Sequence, residues 1–530
     1  MKVAIAYPPI ETNKGVPLLS QNRQFQYFNT PTYIYPMVPA YAASLAQKRG
    51  HEVIWMDGIA SEQTYAQWLE QLDQESPDVL VIESKAPVIR KHWEIIKEVK
   101  QKHPKMITIL VGDHVTYDPK ESMENSVVDM IIRGGDFDFV LADLLDAISS
   151  QNKEAKIPGG VWLRKDKSFL EIPKEQGNYD GEFWISGPME MHHNLDSLPF
   201  IDRDLTQWKL YAYENGNFKY KPGTYVYSGR DCWWGKCTFC IWNHSLFPQG
   251  TYRHFSPHRL FDEVKHLVDN YRVREIFDDA GTMFVGEDLK TFCRLLIDSG
   301  YNKKVVYSCN MRLKALDQET YDLMGDANFR YILYGFESGN QETLDRIDKG
   351  LQVEEIEQGL RMAKNAGLEP HITIMVGYPW ETEEMARNTI NLAKEMFKKG
   401  LVDTMQATIT VPYPGTPLYK ECVEKDLLLV DPKDYEKFDM RGPVMKVPFD
   451  ESKLHDLTQE LYTVFMTPKF ILRKVMSIRS WDDIAFFIMA GRKLMGHLLD
   501  FDRSQEEAVK DHAGLWKKGL RKLMGKKQKA

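Results

Sequence analysis

Cys232, Cys237 and Cys240 put three thiols within nine residues, in the run Cys-Trp-Trp-Gly-Lys-Cys-Thr-Phe-Cys, just after a strand-like stretch at Thr224–Gly229. Thiolate is a soft ligand, and three thiolates this close can share one metal centre. Four residues separate the first two cysteines and two separate the last pair, and no fourth cysteine lies nearby. A three-cysteine iron–sulfur cluster leaves one iron open to an outside ligand. His244 follows Cys240 by four positions, so the ligand types also permit a Cys3His zinc site. Three buried free thiols, packed as small hydrophobes, are the third reading.

The elements that would carry such a loop are strands and helices in alternation. Strands are expected at Tyr225–Ser228, Glu275–Asp278, Val305–Asn310, Tyr331–Gly335, His371–Val376 and Thr404–Thr410, with amphipathic helices such as Arg259–Tyr271 and Val353–Asn365 between them. Six such units suggest a partial parallel barrel whose functional residues gather at the carboxyl ends of the strands. The residues there are Asp278 and Asp279, then Asn310 and Arg312, then Glu337 and Ser338 in Gly-Phe-Glu-Ser-Gly, then Gly377-Tyr-Pro-Trp-Glu-Thr and Tyr413-Pro-Gly-Thr-Pro. Polar groups at successive strand ends facing one mouth suit a charged ligand, although a lone Glu or Arg there is more often a solvated loop residue.

Residues 1–150 alternate in the same way, with strands expected at Lys2–Tyr7, Glu52–Met56, Val79–Ile82, Ile107–Val111 and Met130–Ile132. Small and polar residues follow these strands: Asp57, then Ser84, then Gly112, Asp113 and His114, then Gly134 and Gly135. In open α/β sheets the ligand crevice lies beyond such ends, while ordinary turn chemistry explains many of the same residues. Residues 151–220 read as a connector with a short hairpin near Val161–Ile172. From about residue 420 the pattern turns helical, with Leu454–Met466 and Trp481–Leu499 carrying apolar residues at three- and four-residue spacing.

Composition bounds the rest. A chain of 530 residues exceeds one core and suggests two to four domains. A net charge of −8 argues against a general nucleic-acid binder. Six cysteines, three of them clustered, are no disulfide framework and suit a reducing cytosol, hence a cytoplasmic setting. No apolar run reaches membrane-spanning length. The tail at 516–530 carries seven Lys and Arg and no acid; it reads either as a solvated end or as a basic helix making peripheral contact with an anionic membrane.

The cysteine loop, Gly335–Gly339, Gly377–Thr382 and Tyr413–Pro417 resemble the radical SAM enzymes of the cobalamin-binding class, hopanoid-pathway enzymes and the anaerobic magnesium-protoporphyrin ester cyclase among them. The motif match spans about residues 224–420. The strand order of residues 1–150 is similar to the flavodoxin-like, Rossmann-type cobalamin-binding domain. That family usually has three residues between the first two cysteines; a bulge at Trp233–Trp234 would absorb the extra one here. The resemblance implies an α/β chain of four parts: a cobalamin-binding domain at 1–150, a connector at 151–220, a radical SAM core at 221–420 and a helical region with the basic tail at 421–530.

It also implies cofactors and roles. Cys232, Cys237 and Cys240 would hold a [4Fe-4S] cluster whose open iron binds S-adenosylmethionine (SAM). Phe239 would pack on adenine and Arg312 would take the SAM carboxylate. Glu337 and Ser338 would meet its ribose or amino group, with Asp278 or Asp279 beside the amino group. Asp57, Ser84, Gly112, Asp113, His114, Gly134 and Gly135 would face cobalamin. The Asp-x-His-x-x-Gly motif of histidine-ligated cobalamin proteins is absent, because His114 follows Asp113 directly, so no protein histidine is expected on cobalt. A reductant such as flavodoxin or ferredoxin would supply an electron. A 5′-deoxyadenosyl radical would then open an unactivated carbon of a small or lipid-like substrate to methylation, or to cyclisation or rearrangement without methyl transfer. A reading of another class is a zinc-stabilised binding module.

Overall fold

The computed structural model describes residues 1–500 apart from 21–22, 29–30, 151–155, 168, 171, 173–174, 214, 463–464 and 466, with backbone only for 150, 468–469 and 492–500. Five parallel strands open the chain: β1 (Lys2–Tyr7), β2 (Glu52–Asp57), β3 (Val79–Ser84), β4 (Ile107–Gly112) and β5 (Met130–Ile132). Every residue of β3, β4 and β5 is buried, as expected of parallel strands covered on both faces.

The sheet then continues in a way the local pattern did not indicate. β6 (Val161–Arg164) pairs antiparallel with β5 on one side and with β8 (Phe183–Ile185) on the other, and β7 (Asn178–Asp180) forms the edge. The eight-stranded order is β2-β1-β3-β4-β5-β6-β8-β7. The expected hairpin at Val161–Ile172 is therefore replaced by pairing with a strand some twenty residues on. The physical reason is the free ladder of β5, which the connector covers while burying Val161, Leu163 and Trp184.

A second sheet holds six parallel strands in chain order: β9 (Gly223–Val226), β10 (Glu275–Asp278), β11 (Val306–Met311), β12 (Phe329–Glu337), β13 (Glu369–Val376) and β14 (Thr404–Ile409). Intervening helices start at side-chain caps, such as Ser256 before Pro257–Tyr271 and Thr382 before Glu383–Lys398. This is the partial (β/α)6 barrel expected from the alternation. The register of β12 on β13 shifts between Gly335 and Glu337, and Glu337 takes a left-handed φ of 65°. That bulge turns the Glu337 side chain at the carboxyl end of its strand.

Residues 425–451 hold no α-helix, only a single 3-10 turn at Tyr435–Lys437, against the expectation for the region after 420. The segment carries Pro432, Gly442, Pro443 and Pro448, and it lies back across the first sheet. Tyr435 bonds Glu121 at 2.8 Å and Lys14 pairs with Asp439 at 2.8 Å. Helices resume at Ser452–Tyr462, Pro468–Met476 and Trp481–Asp500. They dock on the barrel through contacts such as Tyr462 Oη to Ala407 N at 3.1 Å and Lys474 to Asp403 at 3.0 Å. Among the described residues no helix is long and apolar enough to cross a membrane. The basic tail lies outside the described residues.

Candidate active site

The cysteine loop leaves the barrel after β9 and is shaped by two left-handed residues, Asp231 (φ 73°) and Gly235 (φ 63°). Between them stand the two tryptophans that accommodate the long spacing. Trp233 Nε1 donates to the Met283 carbonyl at 3.2 Å and Trp234 Nε1 to the Asp348 carbonyl at 2.7 Å. Cys237 and Cys240 are joined by a turn, Cys240 N to Cys237 O at 3.1 Å.

All three thiols are free, Cys237 buried and the other two half-buried. Burial pushes each thiol's pKa up, Cys240 most strongly. At Cys237 the nearby Lys349 and Arg312 cations oppose that rise. His244 lies on the Cys237 carbonyl through Nε2 at 3.1 Å and does not complete a fourth ligand position. Among the described residues no three His, Cys, Asp or Glu side chains close on a point that one ion could occupy. A cluster spreads its three thiolates over separate irons, and three thiols on one short loop are a donor set that fits one.

Each strand-end residue named from the sequence has a definite place. Arg312 stacks its guanidinium over Trp234, 4.3 Å from the ring centroid, and donates to the Lys349 carbonyl. Glu337 is buried and paired with Lys349 Nζ at 2.9 Å. Phe239 is buried in one apolar cluster with Cys237, Ile347 and Tyr378. The others are engaged within the fold. Asp278 accepts from Ser228 N at 3.0 Å and from Tyr307 Oη at 3.1 Å, and burial pushes its pKa up. Asp279 pairs with Arg23 of the first half of the chain. The Ser338 hydroxyl faces Thr389 at 3.3 Å and accepts from Asn340 N at 3.2 Å.

Sequence reasoning missed Lys349 altogether, because it sits in a loop after helix Gln341–Arg346 with no motif spacing to mark it. Four buried polar atoms here lack a protein partner, Tyr252 Oη, Thr282 Oγ1, Asn310 Oδ1 and Glu381 Oε1; the strand-end motifs pointed to Asn310 and Glu381, and nothing in the sequence marked Thr282. They come from the segment after the cysteines and from the loops or ends of β10, β11 and β13. Buried polar atoms left unpaired are costly unless something else meets them. Their convergence on one end of the barrel fits a polar ligand such as SAM.

Glu381 gives a pH-dependent expectation. Gly377 N donates to its Oε2 at 2.5 Å, yet burial pushes the carboxyl up from 4.5 to about 7. The folded chain therefore holds a proton that the unfolded chain has lost between those values, and stability falls as pH rises through that window. Glu381→Gln removes this loss. Urea unfolding should show the variant gaining on the wild type from pH 5 to pH 8, by on the order of 3 kcal/mol at most.

In the first sheet, Asp57 caps its own turn, accepting from Ala60 N at 2.8 Å, and takes the Tyr211 hydroxyl at 2.6 Å. Burial raises its pKa to about 6. Ser84 bonds His92 at 2.7 Å. Gly112 has φ 117°, and a Cβ there would overlap the Ser84 carbonyl oxygen. A Cβ on Gly134 would meet Met191, and one on Gly135 the Phe247 ring, so both glycines serve close packing. The His114 ring is buried with its edge on Tyr435, 4.6 Å between centroids, and its Nε2 is 3.3 Å from Glu121. Asp113 keeps one buried oxygen without a partner while the other lies 3.6 Å from Lys85 Nζ. Asp113 Oδ1 and His114 Nδ1 are thus the buried atoms of this group left without a protein partner.

The two halves meet at these ends. Ser245, in the π-turn Trp242–Leu246 that continues from Cys240, donates to the Asp113 carbonyl at 3.3 Å, and Gly135 N donates to Leu246 O at 2.8 Å. The sequence profile of the radical SAM superfamily matches residues 226–393, and that of the B12 binding domain matches residues 29–138. The chain is a cobalamin-binding radical SAM enzyme. Its radical SAM domain works with a [4Fe-4S] cluster and SAM, and its B12-binding domain with cobalamin.

Similar proteins agree with that arrangement. An uncharacterized methyltransferase of Pyrococcus horikoshii is 25% identical over 445 residues, 83% of this chain and 90% of the relative. The anaerobic magnesium-protoporphyrin IX monomethyl ester cyclase of Rubrivivax gelatinosus is 23% identical over 458 residues, 83% of this chain and 75% of the relative. Two solved structures share the fold. The radical S-adenosylmethionine methyltransferase TsrM from Kitasatospora setae, with cobalamin and a [4Fe-4S] cluster bound, superposes with a TM-score of 0.62 at 15% identity over 88% of this chain and 89% of its own. OxsB, a cobalamin-dependent S-adenosylmethionine radical enzyme, gives 0.66 at 13% identity over 97% of this chain and 75% of its own.

Proposed function

We propose that this radical SAM enzyme methylates an unactivated carbon of a small-molecule substrate. The observation that carries the reading is the seam between the two domains. The π-turn after Cys240 rests on the Asp113 end of β4, while Arg23 reaches from the first half of the chain to Asp279 at the end of β10. These contacts bring the loop of the thiol trio against the strand ends of the B12-binding domain, which supports a shared reaction site of the kind methyl transfer to a carbon radical requires. When bound, the cluster with SAM supplies the hydrogen-abstracting radical and cobalamin supplies the methyl group.

The chain's own groups bind and orient. Cys232, Cys237 and Cys240 ligate the cluster. Arg312 and Glu337 take the charged end of SAM, and Phe239 lines its adenine with an apolar face. Asp113 faces cobalamin, and no histidine enters the cobalt coordination, since the His114 ring is held between Tyr435 and Glu121. Asp278, Ser338, Gly112, Gly134 and Gly135 hold the strand ends in shape.

The relationship to a cyclase keeps radical cyclisation without methyl transfer as a second reading. Mass spectrometry of small molecules, pigments and lipids from a strain lacking the gene separates the two. Methylation predicts that a compound lighter by one methylene accumulates in place of the wild-type product. Accumulation of an uncyclised precursor with an unchanged carbon count supports the second reading instead.

A further inference from the structure

A strap of four residues lies along the cysteine loop. Three successive carbonyls of Ile347, Asp348 and Lys349 each take a donor from the site: Thr238 N at 3.0 Å, Trp234 Nε1 at 2.7 Å and Arg312 Nη2. Cys237 Sγ also faces the Asp348 carbonyl, at 3.8 Å. Gly350 closes the strap with φ 62°, and the Trp234 ring occupies the place a Cβ would need. The tryptophans that fill the long cysteine spacing are thus the surface on which this strap is laid.

The strap brings charge as well as shape. Lys349 and Glu337 form an ion pair with side chains only 9% and 8% exposed. Arg312, itself buried, stacks over Trp234. Two cations and one carboxylate therefore stand on the Cys237 side of the loop. Taking charges out of water is expensive, so a buried, unbalanced group of three is retained for what its field does.

The geometry points to Lys349 and Arg312 as positioning residues that set how readily the cluster held at Cys237 accepts its electron. The step adds one electron, from a low-potential one-electron donor, to the oxidised cluster. No bond forms and no proton moves. The added negative charge is favoured by a buried cation and opposed by a buried anion at short range. Net charge and the groups around the sulfurs are known levers on iron–sulfur potentials. The inference rests on the reading of the three cysteines as cluster ligands.

The test is a reductive titration with dithionite and mediators, followed by electron paramagnetic resonance, on anaerobically reconstituted full-length protein without SAM. Iron and sulfide per chain are measured first. Lys349→Met should shift the midpoint in the negative direction by the equivalent of roughly tenfold in the reduction equilibrium, about 59 mV for a one-electron couple. Glu337→Gln should shift it the opposite way, and Lys349→Arg should return it close to the wild type. A structural disturbance alone does not produce shifts of opposite sign. Equal iron content with no shift, or with both variants moving the same way, overturns the proposal. If Lys349→Met does not fold, a negative or absent shift in Glu337→Gln overturns it by itself. A wild-type protein that assembles no four-iron cluster overturns the ligand reading and this role with it, and the iron and sulfide content reveals that case before any titration.

Discussion

Replacing Cys237 with Ala should abolish both the visible absorption of the reconstituted cluster and the cleavage of SAM, while His244→Ala should leave both in place. Cys237 is the most constrained of the three thiols, with Asp348 at its sulfur, Ile347 bonded to the next residue and Arg312 and Lys349 nearby. With the three cysteines as the proposed ligands, losing one leaves an iron without its thiolate, and no spare cysteine stands near to replace it. The remaining three, Cys293, Cys309 and Cys422, are buried, the first two in the barrel elements Glu287–Asp298 and β11. His244 holds the Cys237 carbonyl and touches no thiol in a ligand geometry. Anaerobic absorption spectra and 5′-deoxyadenosine formation measure the two effects. Loss of metal from both the His244→Ala and the Cys237→Ala proteins, with zinc in place of iron and sulfide in the wild type, would restore the zinc reading.

Gly112→Ala should destabilise the B12-binding half severely, by roughly 3 kcal/mol or more, the sum of a left-handed backbone and an overfilled contact. The end of β4 runs so close to Ser84 of β3 that a methyl group has no room, and φ 117° lies where only glycine is at ease. The Thr116 hydroxyl donates to the Gly112 carbonyl at 2.6 Å and would move with it. Thermal unfolding measures the cost. A melting temperature equal to the wild type, with cobalamin binding lost, would instead make Gly112 a contact residue for the cofactor.

Gly112 illustrates what a sequence shows and what it withholds. Its position after an apolar run was legible, as were nearly all the parallel strands, because buried parallel strands read as unbroken apolar stretches. The cysteine trio was legible from ligand type and spacing alone. Whether a polar residue at a strand end is spare or spent was not. Asp278 and Asp279 look alike in the sequence, yet one is consumed by Ser228 and Tyr307 and the other by Arg23, some 250 residues earlier. Lys349 carries no local signal, since its partner Glu337 and the tryptophans beneath it are brought to it only by the barrel. The pairing of β6 with β8 was hidden for a similar reason, being settled by the open edge of β5. Residues 425–451 combine apolar residues with prolines, and their burial depends on a sheet formed more than 300 residues earlier.

Radical formation and methyl transfer are proposed to share one site between the two domains. The most direct measurement is the ratio of SAM products per turnover in the anaerobic, cobalamin-loaded enzyme with a methyl-accepting substrate. 5′-Deoxyadenosine and S-adenosylhomocysteine should form in equal amounts, each matched by methylated product. Turnover that yields 5′-deoxyadenosine and altered substrate with no S-adenosylhomocysteine would contradict it.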